Sequence, residues 1–77
     1  MTIYRPISTW LNPQGNQVRA TFKQIERILG FDLPVSARTH RQWWENDPKH
    51  PQGKAWLDVG FRTAEVNMVG ETLVFLR

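Results

Sequence analysis

Apolar side chains recur along this chain in two periods, one helical and one alternating. Phe22, Ile25, Ile28 and Leu29 form a stripe at helical spacing. Thr21 stands before them as an N-cap, Gln24 completes a capping box, and Gly30 is a natural stop. Lys23 and Arg27 lie four apart on the opposite face. After the short connection Gly30-Phe31-Asp32-Leu33, Pro34 suits the first turn of a second helix, predicted from about Pro34 to Glu45. In that helix Leu33, Ala37, His40 and Trp44 share the inward face. Val35, Thr39, Gln42 and Asn46 share the outward one, with Arg38 beside them. Trp43 falls on a flank with Ser36, so the adjacent tryptophans cannot share one environment: Trp44 is assigned to the core and Trp43 to an edge or a partner.

The flanking regions are shorter elements. Pro6 to Leu11 suits one short helix, ended by the turn cluster Asn12-Pro13-Gln14-Gly15-Asn16. Gln17 to Ala20 reads as a strand with Val18 and Ala20 on one face and Gln17 and Arg19 on the other. Asn46 to Pro51 is rich in turn formers, and Lys54 to Val59 reads as a short helix stopped by Gly60. Phe61–Met68 and Thr72–Leu76 are strand-like and form a hairpin around Val69-Gly70-Glu71, where Gly70 is expected to supply a positive φ.

This order of elements predicts one α+β domain over residues 1–77 in which the hairpin and the Gln17–Ala20 strand form a small sheet under the two central helices. Winged helix-turn-helix domains share the order, apart from the extra short helix before the hairpin. The match departs from their usual pattern in two places: Glu26 stands about where a small residue belongs at the helix crossing, and Ala37 falls about one residue late. Both point to a variant turn built around Leu33-Pro34.

A chain of 77 residues buries only about 60% of its unfolded surface, so its core must be dense. Four Trp, four Phe and one Tyr make that feasible, with Trp10, Trp44 and Trp56 as natural core rings. Cys is absent, which fits a reducing, cytoplasmic setting and excludes a disulfide scaffold. No apolar run approaches the roughly 20 residues that span a bilayer, and the N-terminus lacks the signature of a signal peptide, so no membrane partner is expected. The net charge of +3 permits a polyanionic partner without requiring one.

Taken together, Thr21-Phe22-Lys23-Gln24-Ile25-Glu26-Arg27-Ile28-Leu29-Gly30, Leu33-Pro34-Val35-Ser36-Ala37-Arg38, Trp43-Trp44-Glu45-Asn46-Asp47 and Ala55-Trp56-Leu57-Asp58-Val59-Gly60-Phe61 resemble a family of small prokaryotic domains with the pattern TFxxIExxLGxxLPxSAR…WWxN…AWLxxGF. The resemblance runs from Tyr4 to Arg77. It implies a stable domain, alone or attached to others, and brings no activity with it.

Function therefore rests on the residues. The outward side of the predicted Pro34–Glu45 helix offers Ser36, Arg38, Thr39 and Gln42, with Asn46 just beyond, and Arg, Gln and Asn are the side chains that read base edges in a major groove. Arg19, Lys23, Arg27, Arg41, Lys49 and Lys54 can neutralise phosphates, Arg62 can act from the hairpin wing, and Trp43 can stack on an unpaired base. Glu45, Asp47 and Asp58 interrupt the basic footprint. The expectation is a non-catalytic nucleic-acid-binding module, with double-stranded DNA favoured; the alternative is a protein-interaction or dimerisation module using the Trp-rich flank. His40 reads as an inward structural histidine and His50 as a solvated loop residue. The carboxylates are scattered, with no acid–base pair, nucleophile triad or Gly-rich phosphate loop, so no catalytic residue, metal, cofactor or small-molecule substrate is assigned.

Overall fold

The helix with the clearest periodicity organises the rest. In the computed structural model, which describes residues 2–77, α2 spans Phe22–Leu29. The Thr21 hydroxyl accepts from the Gln24 amide at 3.0 Å, and Gly30 ends the helix at φ 83. Phe22, Ile25 and Leu29 are buried. Before α2 come α1 (Arg5–Leu11), with Ile7 and Leu11 inward, and β1 (Gln17–Thr21). The chain closes with β2 (Arg62–Asn67) and β3 (Thr72–Leu76). Both pairings are antiparallel and the sheet order is β1-β3-β2. The last strand thus fills the centre, which is why Leu73, Val74 and Phe75 are all buried while both neighbours alternate.

The helices cover one face of that sheet. Ala20, Leu73 and Phe75 join Ile7, Leu11, Phe22, Ile25, Trp44 and Trp56 in a single core. Its centre is a column of rings. Phe22 stacks on Trp44 at 4.6 Å between centroids, Trp44 is parallel to Trp56 at 6.1 Å, and Phe75 tilts against Trp56 at 5.7 Å. Trp44 and Trp56 are core as expected, but Trp10 is only half-buried and meets Phe75 edge-on.

Four expectations need correction. The segment expected as one helix over Pro34–Glu45 is two pieces, α3 (Val35–Thr39) and a 3-10 turn (Arg41–Trp44), separated by His40 in an extended conformation. The physical cause is the Trp44 indole, whose N–H donates to the Ala37 carbonyl at 2.8 Å. In an unbroken helix that carbonyl would accept from the Arg41 amide, so seating Trp44 between Phe22 and Trp56 replaces a helical bond with a side-chain one. His40 is then turned outward and exposed, against the inward placement read from helical spacing.

The next helix, α4 (Pro51–Leu57), starts three residues earlier than Lys54 and ends before Val59. Pro51 takes the first position, where a missing amide costs nothing. Gly53 lies inside it because a Cβ there would collide with the Asp47 carbonyl of the preceding loop. A glycine that argues locally against a helix lets that loop cross the helix closely. In the hairpin, Gly70 does not supply the positive φ; Glu71 does, at 55°, and Glu65 has φ 49 at a bulge between Ala64 and Asn67. The turn is closed instead by the Asn67 carboxamide oxygen, which accepts from the Gly70 amide at 2.8 Å.

Candidate nucleic-acid interface

The side chains assigned to base and phosphate contact occupy three different situations. Ser36, Thr39, Arg41 and Gln42 are exposed around α3 and the 3-10 turn, together with His40. Thr39 Oγ1 donates back to the Val35 carbonyl at 3.0 Å and lies 2.9 Å from His40 Nδ1. Arg41 donates to the Val66 carbonyl at 2.6 Å, joining the turn to β2. Between them is a concavity of about 350 Å³, with Trp44, Ala64 and Val66 behind and Arg41, Gln42 and Glu45 at its edge. Lys23 and Arg27 are exposed on α2, and neither makes an ion pair among the described residues.

Arg38, expected to read bases, is engaged within the chain. Its guanidinium grips the Glu26 carboxylate with two hydrogen bonds, 2.8 and 3.1 Å, and its Nε donates to Glu71 at 3.0 Å. Glu26 also accepts from the Leu33 amide at 2.8 Å. The Arg38 hydrogen bonds and the Leu33 amide hold the Glu26 carboxyl below the usual carboxylate range. Thus the acidic residue that spoils a small-residue helix crossing ties α2 to α3 and to the hairpin. Its spacing carried a signal: Glu26 stands at the helix crossing, and Arg38 is the basic residue of α3.

Asn46 is engaged in the same way. Although at the surface, its carboxamide is consumed by the fold. Oδ1 accepts from Trp56 Nε1 at 3.0 Å and the Thr63 amide at 2.7 Å and lies 3.1 Å from the Thr63 hydroxyl oxygen, while Nδ2 donates to the Thr63 carbonyl at 3.1 Å. Thr63 in turn donates to the Trp44 carbonyl at 2.6 Å. No local pattern in the sequence announces this, because the partners lie ten and seventeen residues on.

Trp43 is half-buried, edge-on to Trp44 at 4.6 Å and to Tyr4 at 5.7 Å, with Phe31 on the far side of Tyr4 at 6.1 Å. It is a packed flank and not a free stacking platform. Arg19 and Arg62 are exposed on the sheet face opposite the helices, where Arg19 pairs with Val74 and Arg62 with Leu76. That separates them from α3. Lys49 is exposed in the loop before α4, its amide bound by the Asp47 carboxylate at 2.9 Å. Lys54 is paired with Asp58 at 3.1 Å. The structure thus exposes Ser36, Thr39, Arg41 and Gln42 along α3 and the 3-10 turn and Lys23 and Arg27 on α2, and engages Arg38, Asn46 and Trp43 in contacts within the fold. No group of three or more His, Asp or Glu side chains suited to a metal ion is present among the described residues, and none of their helices is long and apolar enough to cross a membrane.

The molecule is thereby a small α+β domain with its helices on one sheet face and a charge-latched central segment. Residues 4–77 match the family model described as Domain of unknown function (DUF7662), and the chain belongs to that family. No curated protein and no solved structure matches it.

Proposed function

We propose that this domain is a non-catalytic nucleic-acid-binding module of winged-helix type that meets double-stranded DNA through α3, the 3-10 turn and the exposed cations of α2. The supporting observation is electrostatic. Arg38 engages Glu26 and Glu71, Lys23 and Arg27 are exposed on α2 with no ion pair among the described residues, and Ser36, Thr39, Arg41 and Gln42 are exposed on α3 and the 3-10 turn, where Glu45 is the carboxylate beside Arg41 and Gln42. The order of elements and the sheet order β1-β3-β2, with α2 and α3 between the first two strands, favour the same class.

In this arrangement Gln42 reads a base edge, Lys23 and Arg27 neutralise phosphates, and Arg38 ties α3 to α2, the helix that carries the two cations. The hairpin tip contributes shape more than charge, since Asn67 to Glu71 carries no cation and Val69 is 98% exposed.

Mobility shift with random duplex and single-stranded pools at two salt concentrations tests this. Lys23→Ala and Arg27→Ala should each lower the salt-dependence slope by about 0.9 on duplex. Gln42→Ala should weaken the preferred sequence about tenfold or more relative to random duplex. A complex indifferent to salt and to all three substitutions would remove nucleic acid as the partner and favour a protein contact.

A further inference from the structure

The sheet's two edges are treated oppositely by the fold. In an antiparallel pair, alternate residues turn their amide and carbonyl toward the neighbour, and those between turn them away. The Phe22 amide donates to the Glu71 carbonyl at 2.9 Å, and the Arg77 amide to the Asn16 carbonyl at 2.8 Å. These contacts continue the β1–β3 register, Gln17 opposite Leu76 through Thr21 opposite Thr72. Val18 and Ala20 therefore face β3 with their backbone groups, and Gln17, Arg19 and Thr21 direct theirs to the outer edge. On β3 the remaining groups, those of Thr72, Val74 and Leu76, serve β2. There Arg62 and Ala64 bond back, and Thr63 turns outward.

The outward groups of β2 are closed off. The Thr63 amide and carbonyl are both taken by the Asn46 carboxamide, the Val66 carbonyl is taken by Arg41, and the Phe61 amide donates to the Trp56 carbonyl at 2.9 Å. The Glu65 bulge bends the same edge. On β1 nothing comparable occurs. Gln17, Arg19 and Thr21 are exposed, and among the described residues no group outside the strand pair bonds the Gln17 or Arg19 backbone or the Thr21 amide. An open strand edge is a template for another strand.

We propose that the β1 edge is a docking site for an extended segment of a partner protein whose residues alternate between acidic and apolar. Side-chain chemistry on the two faces selects that segment. On the solvent face the edge strand carries Arg19, with no ion pair among the described residues, and Arg62 lies across the sheet on the same face. A carboxylate directly opposite Arg19 is favourable and a cation is not. On the helix face the edge offers half-buried Val18, whose register partner is Phe75, and half-buried Trp10 against the same Phe75. Apolar side chains of the incoming strand cover those two. A second copy of this chain fits less well, because pairing β1 with β1 brings both Arg19 guanidinium groups onto one face beside both Arg62. The site lies on the opposite sheet edge from Arg41 and Asn46, so strand addition and occupation of the α3 surface are compatible.

The test uses the whole chain and an end-blocked heptapeptide alternating Val and Glu, with a Val and Lys counterpart. Amide hydrogen exchange is followed residue by residue. In the free protein the Gln17, Arg19 and Thr21 amides should exchange quickly, while Val18, Ala20 and Thr63 are protected. The Val/Glu peptide should slow the outward β1 amides and leave Thr63 unchanged, and the Val/Lys peptide should bind about fivefold or more weakly. Arg19→Pro removes an outward amide without touching the β3 ladder, and should abolish the peptide's effect. Arg19→Gln keeps that amide and should erase the preference for Glu over Lys, which preserves the test if the proline variant fails to fold. Protection appearing elsewhere, equal binding of both peptides, or dimerisation of the free chain through β1 would overturn the proposal.

Discussion

Two adjoining stretches, α3 and the 3-10 turn after it, are held down by different forces. The turn is anchored from within. Trp44 is 1% exposed, lies between Phe22 and Trp56, and has its indole N–H satisfied by Ala37. Asn46 and Thr63 then bind this region to β2 through hydrogen bonds inside the fold. By contrast, α3 buries only Ala37 and leaves Val35 78% exposed. Its main tie is the bridge of Arg38 to Glu26 and Glu71, partly open to solvent. Burial and neutral hydrogen bonds are insensitive to salt, whereas exposed ion pairs are screened. The residues proposed to read a ligand thus sit partly on a piece whose attachment responds to ionic conditions.

That contrast can be broken at either end. The largest effect should come from Trp44→Ala, which empties the centre of the ring column and should cost about 3–5 kcal/mol. Urea or thermal denaturation measures it, and in so small a domain the loss should leave little folded protein. A cooperative, near-normal unfolding curve would show that the turn is not anchored by this ring.

Asn46→Ala should be next, at about 1–3 kcal/mol, because the Thr63 backbone and Trp56 N–H lose their partners. The same variant should raise amide exchange at Thr63 and leave α2 protected. Arg38→Ala should cost less, about 1 kcal/mol at low salt. Its difference from the parent should shrink as sodium chloride is raised, while that of Asn46→Ala should not. Equal salt response in the two variants would erase the distinction between the regions.

The smallest effect is on acid titration. Glu26 is more acidic in the folded chain than when unfolded, because the ionised form is favoured by Arg38 and the Leu33 amide. Its contribution is therefore complete above the ordinary carboxylate pKa and fades as pH falls through the lower folded value. Stability measured against pH should decline over that acidic window, and Glu26→Gln should flatten that part of the decline.

Much of the fold was legible where its cause is local. The Thr21 hydroxyl cap on the Gln24 amide, the Phe22–Leu29 stripe and Gly30 define α2 without reference to anything distant, and β1 and the hairpin follow from alternation. The exposure of Thr39 and Gln42 also matches the outward face read from spacing. The candidate site was less legible. Arg38, Asn46 and Trp43 have the chemistry of readers, and residue type alone cannot show that each is already occupied by a partner elsewhere in the chain.

What the amino-acid order alone determined is the inventory: a capped helix, a β-ribbon, an aromatic-rich interior and a modest positive charge. Tertiary structure decided how the middle segment is divided and which polar groups remain available. Local signals act within a turn or two of helix, so they set caps and periodicity. The break at His40, the latch through Arg38 and the difference between the sheet edges depend on residues brought together across the fold, where a hydrogen bond to a distant partner outweighs the local preference.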